Sequence, residues 1–348
     1  LALALALALA LPLAAGLFGG CAKAPAATPA QTDPPAKTAA PAETPSQSEA
    51  PAQAKPPAIN IVTLKGPTGM GMVHLMEQAA NNLSGADYQF QLAAAPDEVA
   101  GKIVTGEADI AAAPINLAAN LYNKTNGGVS IIAINTMGVL YILENGNSIR
   151  TLADLAGKTL GATGQAATPE YILNYLLDQN GIAGKVNIEY QNDHAELAAL
   201  LASGFYDYAM LPEPNVTATL MKSENLRVAL DLTEEWNKLE NGAALVQGCV
   251  IVRNEYRDAN PEAVELFLKE YAQSTAFTNE HVDEAAELIA KYEIMGAAAA
   301  AKKAIPNSNI VCLTGEEMKA NAKAMIEMLY EANPQSVGGA LPDDGFYN

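Results

Sequence analysis

The side chains best placed for acid–base chemistry are two aspartates, Asp109 and Asp207, which recur in similar sequence contexts. Each follows a glycine by three positions and precedes a proline by five. Paired carboxylates can act as general acid and base. Each aspartate, however, stands at the predicted start of a strand, whereas ligands of α/β proteins gather at the opposite strand ends. We therefore interpret both as turn or capping residues.

The three histidines, at positions 74, 194 and 281, are isolated from one another and from any cysteine. No spacing among them is typical of a metal site or a catalytic base, and the sequence has no G-x-S-x-G motif. We interpret each as a surface residue or a hydrogen-bonded helix residue. The sequence predicts no metal site, no cofactor and no catalytic residue.

The glycines from Gly66 to Gly71 raise the question of nucleotide binding. A triphosphate loop would continue with Lys and Ser or Thr, but Met72 and Val73 follow, so the phosphates would lose their main counter-charge. A dinucleotide fingerprint would need its third glycine at His74, where a side chain prevents the close approach of helix and strand. We exclude the first kind of site and disfavour the second.

Glycines, prolines and neutral polar side chains follow several predicted strands. In a parallel α/β sheet, ligands bind beyond the carboxyl ends of strands, near helix N-termini. These positions include one acid, with Lys65 at their edge. The sequence therefore predicts a site that binds a small molecule without transforming it, formed by Gly66, Pro67, Thr68, Gly69, Pro114, Asn116, Thr163, Gly164, Gln165, Thr168, Glu213 and Asn215.

The elements that position these residues form a pattern that occurs twice. Short β-rich runs alternate with helical stretches from Ile59 onward, which is typical of an α/β fold. The loop GPTG (66–69) corresponds to GATG (161–164), and TGEADIAAAPIN (105–116) corresponds to SGFYDYAMLPEPN (203–215). We predict two α/β lobes on one plan, each a mostly parallel sheet flanked by helices, with a ligand cleft between them. The last third begins with the apolar run ALVQGCVIVR, which predicts a strand, and continues with amphipathic helices that have no counterpart strands and pack on the first lobe.

The first 57 residues differ in composition from the rest. Residues 1–20 are uncharged and apolar, which predicts a signal peptide or a membrane span. The run begins with Leu and lacks a basic segment, so we expect the natural start to be missing. Residues 21–57 are rich in Ala and Pro with few large apolar side chains, and we interpret them as a flexible tether. A formal net charge of −19 argues against a nucleic-acid surface.

The segment Leu17-Phe18-Gly19-Gly20-Cys21 resembles the cleavage box of bacterial lipoproteins. The resemblance implies cleavage before Cys21 and a lipid anchor on that cysteine at the extracytoplasmic face of the cell membrane. An uncleaved anchor helix is the alternative and gives the same topology. Cys249 and Cys312 could pair in an oxidising compartment or remain buried and inert, and the sequence leaves this open.

The lipoprotein-like start, the two lobes, the GPTG loop, the LPEP segment and the closing LPDDGFYN together resemble the substrate-binding lipoproteins of ABC importers. The nearest group is the nitrate/sulfonate/taurine and thiamine-precursor type. The resemblance implies a type II periplasmic-binding-protein fold and a monomer that delivers a solute to the permease transmembrane subunits. It also implies crossings between lobes near 139–144 and 248–253, hence lobe one from 58–143 plus 250–348 and lobe two from 144–249.

An enzyme on the same fold is the alternative, since menaquinone-pathway dehydratases and pyrimidine-precursor synthases share these lobes. The export signal and the lack of a Cys-rich iron motif favour a binding protein. The solute stays open between an anion and a neutral heteroaromatic, because the arginines lie outside the predicted pocket loops: Arg150, Arg227, Arg253 and Arg257. Three tyrosines could stack on an aromatic solute, although core positions are favoured for them: Tyr122, Tyr141 and Tyr171.

Overall fold

A computed structural model of the protein describes residues 58–239 and 244–348. The predicted signal peptide, Cys21 and the predicted tether to residue 57 lie outside the described residues. Within those two ranges, no helix is both long enough and apolar enough to cross a bilayer.

The described residues form eleven strands and thirteen α-helices. The strands are β1 (Ile59–Leu64), β2 (Tyr88–Ala93), β3 (Ile110–Pro114), β4 (Val129–Met137), β5 (Leu140–Asn145), β6 (Thr159–Ala162), β7 (Asn187–Tyr190), β8 (Tyr208–Pro212), β9 (Leu226–Asp231), β10 (Val246–Arg253) and β11 (Ile310–Leu313). The α-helices are α1 (Pro67–Met70), α2 (Val73–Ala80), α3 (Pro96–Thr105), α4 (Ile115–Lys124), α5 (Thr168–Gln179), α6 (His194–Ala202), α7 (Asn215–Leu220), α8 (Leu232–Asn237), α9 (Asn254–Ala259), α10 (Pro261–Glu280), α11 (Val282–Lys291), α12 (Ala298–Ala304) and α13 (Gly315–Ala332). Short 3₁₀ helices cover Leu152–Leu155, Ile305–Asn307, Pro334–Val337 and Asp344–Phe346.

The first sheet has six strands in the order β11-β4-β10-β3-β1-β2. Strands β2, β1 and β3 are parallel to one another, whereas β10 runs antiparallel between β3 and β4. This central place explains the continuous apolar run of β10, because both faces of the sheet are covered there. Strand β11 has no predicted counterpart. Its four residues are too short for a sequence pattern, and it forms by pairing with the edge of β4.

The second sheet has five strands in the order β7-β6-β8-β5-β9. Strands β7, β6 and β8 are parallel, and β5 is antiparallel to both β8 and β9. The two sheets confirm the α/β fold of two lobes. In the first sheet β10 and the edge strand β11 run opposite to the other four strands, and in the second sheet β5 alone runs opposite to the others.

The chain passes between the sheets twice within the described unit. The first passage is short, because β4 ends at Met137 in one sheet and β5 begins at Leu140 in the other. The second lies between α8 and β10. The predicted crossing at 248–253 is inside β10, which pairs with β3 and β4 along this stretch. The sequence pattern does predict a strand in this apolar run, and the second passage ends before that strand begins at Val246.

Gly138 brings the two passages together. A Cβ atom at this position would lie 2.2 Å from Thr233 Oγ1 and 2.8 Å from Leu245 Cδ2. The absence of a side chain therefore lets the first passage pack directly against α8 and the residue that precedes β10.

Candidate functional site

An open cleft of about 1260 Å³ lies where residues from both sheets and the first passage meet. The first sheet contributes the loop after β1 and residues of β4 and β10, the second sheet contributes the loop after β8, and the first passage contributes Val139. A third wall comes from the loop between α11 and α12. The polar and charged lining residues among those described are Lys65, Thr68, Thr136, His194, Glu213, Asn215, Lys222, Gln247 and Glu293.

Half of the twelve predicted site residues line this cleft, namely Gly66, Pro67, Thr68, Pro114, Glu213 and Asn215. The other six do not, namely Gly69, Asn116, Thr163, Gly164, Gln165 and Thr168. The loops after β1, β3 and β8 therefore reach the cleft, whereas no residue of the GATGQAAT loop after β6 belongs to its lining.

The conformation of the GPTG loop depends on its two glycines, one for its backbone angle and the other for close packing. Gly66 has φ +88°, a conformation that favours glycine, and its carbonyl accepts hydrogen bonds from the backbone N–H groups of Gly69 and Met70, both at 3.0 Å. Gly69 faces inward, because a Cβ there would lie 2.5 Å from the Leu64 carbonyl oxygen. The loop thus turns sharply and starts α1, which leaves Pro67 and Thr68 in the cleft wall.

Three side-chain groups in the cleft wall are buried without a hydrogen-bond partner among the described residues. They are the Thr68 hydroxyl, the Thr136 hydroxyl and the Gln247 amide nitrogen. A buried polar group left unpaired costs about 1–3 kcal/mol, so most proteins pair such groups. Their common position in one cleft indicates a surface prepared for the polar atoms of a ligand.

Glu213 is almost fully buried in the wall that follows β8. Its carboxylate accepts hydrogen bonds from the Thr217 hydroxyl at 2.9 Å and the Thr217 backbone N–H at 3.2 Å. Burial raises the pKa of Glu213 above its usual value, and the two hydrogen bonds from Thr217 only partly oppose this. The second sheet therefore places in the cleft an acid whose neutral form is favoured by burial.

His194 enters the cleft from the first turn of α6. Asp193 caps this helix by accepting a hydrogen bond from the Glu196 backbone N–H at 2.8 Å. The His194 Nδ1 atom lies 2.8 Å from the Thr163 hydroxyl, so the imidazole covers Thr163 and takes its place in the wall. The prediction missed His194, although it follows β7 and thus meets the same strand-end rule as the residues that were chosen.

Residues predicted for the site also join the two lobes. The Thr168 hydroxyl, in α5, donates to the Asn116 side-chain oxygen, in α4, at 3.0 Å. A Cβ on Gly66 would lie 3.5 Å from Pro214 Cδ, so the loops after β1 and β8 touch. Asn116 and Thr168 therefore contact each other outside the cleft.

The arginines form ion pairs elsewhere in the described chain. Arg227 pairs with the buried Glu144, Arg253 lies 3.6 Å from Asp109, and Arg257 lies 2.8 Å from Asp258. Asp109 also accepts hydrogen bonds from the backbone and side chain of Asn60, at 3.0 and 3.1 Å. This aspartate ties β1 to β3. Its partners are structural, as expected for a turn residue.

The tyrosines offered as stacking partners are absent from the described cleft lining, as are Phe and Trp. Tyr122, Tyr141 and Tyr171 are mostly buried, and their hydroxyls contact Asp343, the Asn307 carbonyl and Asn333 respectively. Cys249 and Cys312 are unpaired, and burial raises the pKa of Cys312 to about 11.

A family model described as NMT1/THI5 like matches residues 105–285 of the chain. No curated protein matches the sequence. The matched segment runs from the end of α3 to α11 and includes the second sheet, β10 and the cleft wall after β8, but neither the loop after β1 nor the third wall.

Solved structures of binding proteins superpose on this fold. An ABC transporter protein from Parabacteroides distasonis shares 24% identity with a TM-score of 0.69, over 84% of this chain and 98% of that one. The periplasmic aliphatic sulphonate binding protein SsuA from Escherichia coli shares 18% identity with a TM-score of 0.67, over 82% and 91%. The alkanesulfonate-binding protein SsuA from Xanthomonas axonopodis pv. citri, bound to MOPS, shares 14% identity with a TM-score of 0.62, over 83% and 96%.

Proposed function

Since this chain belongs to the NMT1/THI5-like family, we propose that it is an extracytoplasmic solute-binding protein of an ABC importer. It captures a small molecule between its two lobes and delivers it to the permease transmembrane subunits. It acts as a monomer, since one chain supplies both walls of the cleft. The likeness to an ABC transporter protein and to SsuA proteins supports this reading.

The observation that carries the proposal is the set of unpaired groups in the cleft. Thr68, Thr136 and Gln247 come from distant parts of the chain, and each is buried without a partner among the described residues. A ligand with matching polar atoms would satisfy all three at once, which explains why the fold tolerates them. All three belong to the first lobe, on the loop after β1 and in β4 and β10, so a solute that binds them and also contacts Glu213 or Asn215 would hold the two lobes together.

The proposed motion is closure about the two passages. The sheet pairing favours passages at 138–139 and 238–245, with lobe one formed by 58–137 plus 246–348 and lobe two by 140–237. These bounds move the predicted ones by a few residues. Short passages suit a hinge, because few backbone angles need to change.

Chemistry in the cleft is not proposed. The described lining contains no Ser, Cys, Asp or Tyr, and Glu213 already accepts two hydrogen bonds from Thr217. The Thr163 hydroxyl lies 2.8 Å from His194 Nδ1, but Thr163 is 2% exposed and outside the described lining, so it is not placed to attack a solute as covalent catalysis requires. This favours binding over the enzymes that share the fold.

A thermal-shift screen tests the binding function. A solute that binds the folded state raises apparent stability in proportion to the logarithm of its concentration. We expect at least one uptake substrate among sulfonates, pyrimidines, thiamine precursors and small amides to do so, with calorimetry giving one site per chain. Turnover of any such solute during the assay would contradict the proposal and support an enzyme.

The membrane anchor is a separate part of the proposal and depends on Cys21. We propose lipid attachment at this cysteine, which would keep the binding domain at the extracytoplasmic face of the membrane. The Cys21→Ser variant, expressed with its complete natural leader, should be released from the membrane fraction or accumulate unprocessed. Unchanged processing and membrane retention would instead support an uncleaved anchor or another attachment.

A further inference from the structure

We propose that Thr163 and His194 form a specificity pair, in which the Thr163 hydroxyl fixes the imidazole as a hydrogen-bond donor that selects uncharged, acceptor-rich, non-aromatic solutes. The proposal deepens the proposed function and rests on it. The two side chains belong to the loop after β6 and the first turn of α6, and their Oγ1 and Nδ1 atoms are 2.8 Å apart.

The direction of this hydrogen bond follows from the surroundings of Thr163. Its side chain is buried, with 2% exposure, and has no other hydrogen-bond partner among the described residues. If Nδ1 carried the proton and donated it, the hydroxyl hydrogen would be left buried without an acceptor, at a cost of about 1–3 kcal/mol. The hydroxyl therefore donates to Nδ1, and the neutral ring carries its proton on Nε2.

The neutral form of His194 is favoured by its position. Burial lowers the pKa of His194 below its usual value, and the nearby Asp193 carboxylate opposes this shift. Asp193 is engaged in capping α6 and accepts from the Glu196 N–H, not from the imidazole. The edge of the ring that bears Nδ1 faces Thr163, so the Nε2–H edge is the one available to the cleft.

The other unpaired groups of the cleft have matching chemistry. The Thr68 and Thr136 hydroxyls can donate, and the Gln247 amide nitrogen can only donate. With His194 they make a surface of neutral donors, which calls for a solute with several acceptor oxygens. The described lining contains no aromatic residue other than His194, so stacking contributes little to selection.

The charges of the cleft favour an uncharged solute over either kind of ion. The two lysines of the described lining, Lys65 and Lys222, are exposed at its edge, and arginine is absent from it. The acids of the described lining are Glu293, which is exposed, and Glu213, which is 3% exposed and whose neutral form is favoured by burial. An ion of either sign would therefore leave water without a buried counter-charge in this lining, which costs more than burying a neutral group. Carbonyl and ether oxygens on an aliphatic frame avoid this cost.

The protonation site can be measured without any solute. Nitrogen-15 NMR of imidazole side chains distinguishes the two neutral tautomers, and the chain has three histidines, so His194→Gln assigns the resonance. We expect the Nε2–H tautomer for His194 at neutral pH. Thr163→Val should shift the ring towards a mixture of tautomers, whereas Thr163→Ser should keep the wild-type spectrum. A dominant Nδ1–H tautomer in the wild type, or no change in Thr163→Val, would overturn the pair.

Solute preference is tested with three probes on one six-carbon frame: tetramethyladipamide, adipate and 1,6-diaminohexane. The first offers only uncharged acceptors, the second is a dianion and the third a dication. We expect only tetramethyladipamide to stabilise the protein at millimolar concentration. His194→Phe should weaken this binding about tenfold, and His194→Gln, which retains a donor, should weaken it less.

The outcomes separate this inference from the proposed function. Stabilisation by adipate or 1,6-diaminohexane in preference to tetramethyladipamide, or by none of the three, would overturn the solute class. Failure of every solute in the wider screen would overturn solute binding itself. The tautomer result is independent of both, because it is obtained on the protein alone.

Discussion

At the scale of single residues, a substitution of Thr68 distinguishes a binding role of the GPTG loop from a purely structural one. Its hydroxyl has no partner among the described residues, so Thr68→Val removes no hydrogen bond within that part of the protein. We expect unchanged stability and an affinity loss of about 1–2 kcal/mol, measured by calorimetry with the solute that the thermal-shift screen identifies. Unchanged affinity with a lowered melting temperature would reassign the GPTG loop to a purely structural turn.

Thr278 provides the matched control for Thr68. Its buried hydroxyl donates to the carbonyl oxygens of Met70 at 3.2 Å and Ser274 at 2.9 Å, outside the cleft lining. Thr278→Val leaves those acceptors short of a donor, so it should reduce the free energy of unfolding by about 1–2 kcal/mol without changing affinity. Opposite behaviour of the two variants would show that the cleft hydroxyl serves the solute.

Glu213 predicts a pH dependence of stability. Because burial raises its pKa, the folded state binds this proton more tightly than the unfolded state does. The wild type therefore loses stability as the pH rises through the usual value of 4.5 towards the raised pKa. Glu213→Gln lacks this loss, so the variant should gain stability relative to the wild type over that window.

The measurement for Glu213 is urea unfolding of both proteins between about pH 4 and about pH 8. An acid with a lowered pKa makes the opposite contribution to the pH dependence of stability. Glu77 is an example, because hydrogen bonds from Lys291, Tyr292 and Asn81 lower its pKa to about 2. Such contributions are shared and cancel in the difference between the proteins. A difference independent of pH would mean that Glu213 does not titrate in this window.

At the scale of elements, the passage between β4 and β5 depends on Gly138. A methyl group there would overlap Thr233 and Leu245, with Cβ at 2.2 Å from Thr233 Oγ1. We expect Gly138→Ala to destabilise the protein by about 1–3 kcal/mol in chemical denaturation. Gly101→Ala in α3 is the control, because a Cβ there has nothing within 4 Å and alanine favours a helix by about 0.5–1 kcal/mol. Equal effects at the two sites would contradict tight packing of the passages.

At the scale of the whole molecule, the lobes should close on the solute. The structure already has contacts between them, including Thr168 with Asn116 at 3.0 Å and the approach of Gly66 to Pro214. A solute that contacts both lobes favours the closed state over an open one. Small-angle scattering should therefore give a smaller radius of gyration at saturation than without solute. An unchanged radius would count against closure about the passages.

The fold and family were accessible from the sequence because they depend on local pattern. Alternating strands and helices, the second occurrence of a glycine loop and the LPEP segment predicted two α/β lobes of a solute-binding protein. The sheets and the similar solved structures confirm the two lobes, and the family match confirms the predicted family. The strand-end rule also found the loops around Thr68, Pro114 and Glu213, since it needs only the order of elements.

The composition of the cleft was decided by tertiary packing. Thr163 fits the strand-end rule, yet the ring of His194 covers it from another element at 2.8 Å. Asn116 and Thr168 pair with each other between lobes, and the third wall, from residues 290–300, comes from helices that return late in the chain. The sequence by itself determined which loops reach the ends of the strands. Only the tertiary structure decided which of their side chains line the cleft, because that depends on contacts between residues far apart in the chain.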